Sequence, residues 1–476
     1  MKSLQIEDKS KTKQAKFQIR FIWWALGLAI FVGFALGAHV ASIIGLNLPL
    51  GKGFYSFIQI HGHVQLIGWA GLFIIAISLH FIPRLVGVPI SQPKRIEQVL
   101  WFIATGLILR SLGHTILPYL TESAYLIPLL WMVATSGVIE WFGVLIYLVI
   151  LIQTLKGVAD LNKRPALQSV KPFFAMMLFG WFFYPTLNLI LLFQMTLSKT
   201  VVLNQAWNEF AIQLFTGLVL LPVAFAFSIR MFPLYLRLPA PDWPVRGLAY
   251  AYLISFSIQI LPTLPPILSL ESQAPLYISS LGKILKGSVI IWFVWKLDIL
   301  TRRRDPWTVQ RKLHPDPDRR PTREGMPDYG EFGRFERLLY AAYIWLIGGA
   351  IIEILIGAAS LMGWSIPISS DALRHIYLLG FITHLILGMA VRMMPGFIKK
   401  KKVASTKLVD LTFWLGNSTA VCRVAPLLLP AILLEAIPGA IFLTQSLFAF
   451  SGILALLAVS CLAVNLIRTA KMKNWQ

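Results

Sequence analysis

Residues 61–85 read HGHVQLIGWAGLFIIAISLHFIPRL. After its first few positions the stretch is almost wholly apolar, and at 1.5 Å of rise per residue it is long enough to cross a hydrocarbon core of about 30 Å. Two other segments repeat its pattern, QLFTGLVLLPVAFAFSIRMFPLYL from Gln213 and HIYLLGFITHLILGMAVRMMPGF from His375. In each copy a glycine (Gly68, Gly217, Gly380) precedes a proline by about 15 residues, and a basic residue stands three before that proline: His80–Pro83, Arg230–Pro233, Arg392–Pro395. The proline is expected to stop the helix. The basic side chain would sit at the membrane interface, where a long cation can reach water.

The same ruler applied outward from these segments gives twelve spans, at about 19–42, 56–83, 97–117, 125–155, 172–197, 207–231, 246–267, 274–296, 337–362, 372–394, 408–430 and 436–467. The three copies fall on the second, sixth and tenth. The sequence therefore predicts an all-α integral membrane protein whose twelve transmembrane helices form three pseudo-symmetric sets of four. Composition agrees: 57% of the 476 residues are hydrophobic and 13% are charged, about half the charge of a soluble domain. The predicted organisation is a basic tail over 1–18 and one membrane domain over 19–470, with a polar, proline-rich cytoplasmic loop at about 297–336. The first span follows a basic stretch but is too long for a signal peptide and has no small-residue cleavage site. It is expected to stay as a helix.

Net charge is +22, which by itself would suggest a nucleic-acid partner. The placement of the charges argues otherwise. With the N-terminus inside, 36 of the 43 Lys and Arg residues lie in inward-facing segments or at the helix ends that meet them. Only Lys52, Lys199 and Arg423 are assigned to the other side. That is the positive-inside asymmetry of a multi-pass protein, with both termini cytoplasmic and the lipid bilayer as partner. Nucleic acid is not expected. Cys422 and Cys461 lie in separate apolar segments and form no CxxC motif.

Seven of the eight histidines lie in or beside predicted spans; His314 is in the cytoplasmic loop. His39, His61, His63, His114 and His375 cluster toward the outer face, His384 is mid-membrane, and His80 is at the inner end. Ionisable residues inside a span are costly and usually functional, although a single histidine can simply bond a backbone carbonyl. Imidazole is a common ligand for haem iron and copper. His61 and His63 are two residues apart, about 200° around a helix, so they cannot share one metal unless the helix is distorted there. His375 and His384 are nine apart, roughly 13 Å in height. His63 and His375 stand at equal offsets from Pro83 and Pro395 and so at equal depth. They are the expected axial ligands of a haem b, with Arg374 either pairing with a propionate or simply snorkelling. By the same argument His61 should point away from that cavity. His61, His39 and His114 remain for a second centre, either copper or another haem, and His384 is a further candidate ligand. Glu140, Glu353 and Glu209 are candidates for a proton path or for plain interhelical hydrogen bonds.

The 61–85 stretch resembles the second helix of haem–copper oxidase subunit I. RHIYLLGFITHLILGMAVRMMPGF, from Arg374, together with SIRMFPLYLRLP, from Ser228, is more similar to the NnrS family of twelve-helix membrane proteins. The resemblance implies a bacterial inner-membrane location and a link to haem, copper and nitric oxide metabolism, with nitric oxide or another small gas as ligand. It also implies three pseudo-symmetric arcs with metal ligands on helices 2, 6 and 10. This chain departs from the oxidases where they hold copper. Its sixth span has no histidine–proline–glutamate segment, its seventh no His-His pair, and its tenth no His-x-His. Two other functions stay open at this stage: a divergent electron-transfer or nitric oxide reductase subunit, and a cofactor-free transporter, against which the threefold repeat argues. The electron donor is not legible in the sequence.

Overall fold

A computed structural model describes residues 16–158, 165–269, 272–304, 330–429 and 431–473. The basic tail up to residue 15, His314 and most of the 297–336 loop lie outside the described residues. Every regular element described is helical. Ten helices are long and apolar enough to cross a membrane: Ile19–Gly45 (α1), Phe54–Val86 (α2), Pro93–Tyr119 (α3), Leu126–Lys156 (α4), Lys171–Leu197 (α5), Gln205–Tyr235 (α6), Ala274–Leu297 (α8), Glu336–Leu361 (α9), Ser370–Phe397 (α10) and Ala440–Lys471 (α12). The chain is thus a multi-pass membrane protein.

The other two expected spans are also helices. Val245–Ile260 (α7) has 16 residues before a 3-10 turn at Leu261–Thr263. Thr406–Leu428 (α11) carries Lys407, Asp410, Asn417 and Arg423 among its 23 residues. Shortness in α7 and polarity in α11 set them apart from the ten.

The repeat-bearing helices are the inner ones. The most apolar stretches of α2 and α10 are 78% buried and that of α6 is 67% buried, against 33% in α9. The outer helices pack in hairpins, α3 along α4, α8 along α9 and α11 along α12, with α12 also covering α1. At the α1–α12 contact, a Cβ on Gly452 would run into the backbone of α1 at Ala38, so glycine is what lets these two helices approach. The expected stop at the repeat's prolines is not sharp. Pro83, Pro233 and Pro395 sit inside the last turn, and the helices end at Val86, Tyr235 and Phe397. A proline this close to the C-terminus gives up one backbone bond without breaking the turn. After α2, Gly87 closes the end in the left-handed conformation (φ 72°) and its N–H bonds to the Pro83 carbonyl, as a C-terminal glycine cap does.

The sequence pattern gave no hint of four π-helical segments, at Ala29–Phe34 in α1, Val64–Gly71 in α2, Thr216–Leu220 in α6 and Ile376–Thr383 in α10. Those in α2 and α10 begin 19 and end 12 residues before the repeat's proline; the shorter one in α6 falls within the same window. The three copies therefore share a local distortion as well as a motif. A π turn widens the helix and displaces backbone carbonyls, and side chains take up several of these. Gly33 O accepts from His61, Gly217 O from Tyr252 Oη (2.8 Å), Leu378 O from Thr383 Oγ1 (2.9 Å) and Leu379 O from His384 Nδ1 (2.9 Å).

Candidate functional site: a two-histidine cavity between α1, α2, α6, α10, α11 and α12

All four π segments contribute walls to one cavity of about 550 Å3, within the roughly 300–1,000 Å3 range of cofactor sites. Its middle is apolar, with Phe34, Trp69, Leu378 and Ile382 among its walls. Its mouth, at the N-terminal ends of α6 and α10, is polar and carries Glu209, Asp371, Arg374 and Arg423.

Among the described residues two imidazoles line it, those of His61 and His375. On α2, His61 donates its Nδ1–H to the Gly33 carbonyl at 2.7 Å. Space for the ring comes from α1, where a Cβ on Gly37 would lie 2.6 Å from His61 Cε1. On α10, His375 donates its Nδ1–H to the Asp371 carbonyl at 2.8 Å, with Asp371 Oδ1 3.2 Å away. Committing Nδ1–H to a carbonyl in this way fixes the tautomer and leaves each Nε2 with an available lone pair, as a histidine that binds a metal requires.

His63 is not in this cavity. It faces the opposite side of α2, buried among α3, α4 and α5. Its Nε2 lies 2.9 Å from Glu140 Oε2 and its Nδ1 is 3.0 Å from Tyr184 Oη. Asn188 extends the network to Arg110 (3.1 Å), whose Nε donates to His114 Nδ1 (3.3 Å). The expected pairing of His63 with His375 therefore does not form; the histidines that share the cavity are His61 and His375. Equal offset from the repeat's proline fixes depth only. In a cyclic arrangement, equivalent residues face successive clefts, so two of them do not meet across one. A shared site needs non-equivalent positions, and the 200° between His61 and His63 supplies one.

The expected second centre does not assemble. His39 is exposed and packs edge-on against Phe57 with ring centroids 5.5 Å apart. His114 is fully buried and bonds the Val201 carbonyl through Nε2 at 2.9 Å. His384 supports the π turn at Leu379, and its Nε2, buried without a hydrogen-bond partner, is directed at Gly416 of α11. Among the described residues no group of three or more His, Cys, Asp or Glu side chains is placed to hold a metal ion. Arg374 does line the cavity, 3.6 Å from Glu209 Oε1 and 3.9 Å from Asp371 Oδ1. Glu353 lies away from it, bonded to Lys286 Nζ (2.8 Å) and Tyr377 Oη (2.8 Å).

Sequence reading missed Arg423 and Asp371. Arg423 was assigned to an outer loop; it lies in α11, 3.4 Å from Asp371 Oδ2, with its guanidinium 4.1 Å from the centre of the Phe448 ring. The cavity wall is also rich in unused donors: Gln65 Nε2, Trp69 Nε1 and Arg423 Nε are buried without acceptors. Two imidazole lone pairs, apolar walls and surplus donors fit a flat, apolar macrocycle bearing carboxylates. The residues present fit a haem b.

No protein-family model matches the chain, and no curated protein matches it in sequence. Among solved structures, it is similar to a haem–copper terminal oxidase that was determined as a dimer. The TM-score is 0.66 at 13% identity, over 96% of this chain and 85% of that one. At that identity the likeness speaks for architecture, and the chain has a haem–copper-oxidase-like fold.

Proposed function

We propose that the protein is a haem b protein of the membrane, with His61 and His375 as axial ligands. The observation that carries this reading is the pair of imidazoles on one cavity, each with Nδ1–H engaged and Nε2 available. A bound haem b would supply a one-electron couple. The protein's own residues do the rest. His61 and His375 present nitrogen donors from two inner helices, Arg374 and Arg423 offer cations for the propionates, and the apolar walls exclude water. No copper site is part of this proposal, because the histidines assigned to one are dispersed.

A role in the nitric oxide response rests on the NnrS-like motif around Arg374–Phe397. With two histidine ligands the iron would be closed, so a gas would act on it only by displacing an imidazole. The test is the absorption spectrum of the protein purified in detergent, with and without carbon monoxide or nitric oxide. Reduced haem b bands unchanged by carbon monoxide are expected. A preparation that folds but binds no haem, even after reconstitution, contradicts the proposal. A full shift with carbon monoxide would indicate an open, reactive iron and favour the reductase-like reading.

We further infer a twelve-span topology with both termini cytoplasmic, in a bacterial inner membrane. It is supported by the distribution of Lys and Arg and by the helical state of the two less apolar segments, α7 and α11. Reporter fusions should read periplasm after residue 120 and cytoplasm after residue 320. A periplasmic signal from position 320 would break the count.

A further inference from the structure

The two cavity histidines are not held alike. His61 donates to a neutral acceptor, the Gly33 carbonyl. His375 has, beside the Asp371 carbonyl, the carboxylate of the same residue 3.2 Å from its Nδ1. That carboxylate also reaches both cations of the cavity mouth, Arg423 through Oδ2 (3.4 Å) and Arg374 through Oδ1 (3.9 Å). Its position is set by the start of α10. Ser369 caps the helix and accepts the Asp371 N–H at 3.1 Å, and His375 follows one turn later. One carboxylate therefore reaches the imidazole and Arg374 through Oδ1 and Arg423 through Oδ2, the two guanidinium groups being suited to the carboxylates of a macrocycle.

We propose that Asp371 is a positioning residue that sets the redox poise of the site: its carboxylate lies against His375 Nδ1 and balances the charge of Arg374 and Arg423. This rests on the haem reading above. A carboxylate accepting from the distal nitrogen of a ligand imidazole makes that imidazole a stronger donor. A negative charge near the iron also opposes addition of an electron in a site shielded from water. Both effects favour the oxidised form, so removing the carboxylate raises the midpoint potential. Neutralising Asp371 also leaves Arg374 and Arg423 less balanced, which acts in the same direction. Glu209 still pairs with Arg374 from α6 and limits the shift. His61, whose acceptor is a backbone carbonyl, has no comparable control.

The test uses the full-length, haem-loaded protein in detergent, followed by optical redox titration and by electron paramagnetic resonance of the oxidised form. Asp371→Asn keeps the shape and the backbone bond. It should retain haem at wild-type stoichiometry with a six-coordinate spectrum, and shift the equilibrium about tenfold toward reduced haem at fixed ambient potential. For a one-electron couple that is about 59 mV. Asp371→Glu should recover most of the wild-type midpoint, and Ser369→Ala, which removes only the cap, should leave it in place. Haem retained in Asp371→Asn with an unchanged midpoint overturns the proposal. So does loss of haem from Asp371→Asn accompanied by equal loss from Ser369→Ala, which would show that Asp371 serves only the helix end. Wild-type protein without haem would instead remove the reading on which the proposal rests.

Discussion

Replacing His61 or His375 with Ala should abolish the six-coordinate haem spectrum, while His63→Ala should leave it intact. In the proposed site each of the two cavity imidazoles would supply one axial ligand, and among the described residues no other histidine lines the cavity to take over. Loss of one ligand leaves a five-coordinate iron that binds carbon monoxide, or no haem at all. His63→Ala removes the partner of Glu140 and Tyr184 in a separate cleft, so its cost falls on folding rather than on the spectrum. Optical spectra of the three variants at matched protein concentration decide the matter. A six-coordinate spectrum that survives His61→Ala but is lost in His63→Ala would reverse the assignment.

The second large effect concerns a buried ion pair that does not line the cavity. Lys286 and Glu353 are both about 5% exposed and 2.8 Å apart, joining α8 to α9. Tyr377 donates to the other carboxylate oxygen, and Gln259 lies 3.4 Å from the first, so Glu353 ties α7, α8, α9 and α10 together. Glu353→Ala leaves an ammonium group in the bundle interior without its counter-charge and should cost about 3–5 kcal/mol. The double variant Lys286→Met/Glu353→Leu removes both charges and should recover most of that loss. Thermal unfolding in one detergent gives both numbers. A single variant within about 1 kcal/mol of wild type would show that the pair contributes little, and so would a double variant no better than the single.

Those partners also mark the limit of what the sequence disclosed. Membrane residence, helix positions and the repeat were legible because lipid enforces long apolar runs and the inner helices carry the same glycine–proline punctuation. α7 and α11 were read as spans on the same grounds, although α7 is short and α11 carries charges. Of the histidine layer, His61 and His375 line the cavity, while His39, His63 and His114 do not. What failed was direction around the axis: His61 and His63 differ by about 200°, and depth cannot choose between them. The choice is made by Gly33 and Gly37 on α1, which accept and accommodate the His61 ring, and no pattern within α2 reveals them. Asp371 and Arg423 are 52 residues apart on different helices, so their pairing was invisible before the helices were packed. The π segments escaped because a five-residue hydrogen-bond step leaves the apolar composition unchanged.

The most direct measurement is an experimental density map of the purified, membrane-extracted protein. The account predicts a flat macrocycle in the cavity between α1, α2, α6, α10, α11 and α12, held by His61 and His375, with its carboxylates toward Arg374 and Arg423. A macrocycle bound on the His63 side of α2, or a cavity filled by lipid in protein that carries haem elsewhere, would contradict it.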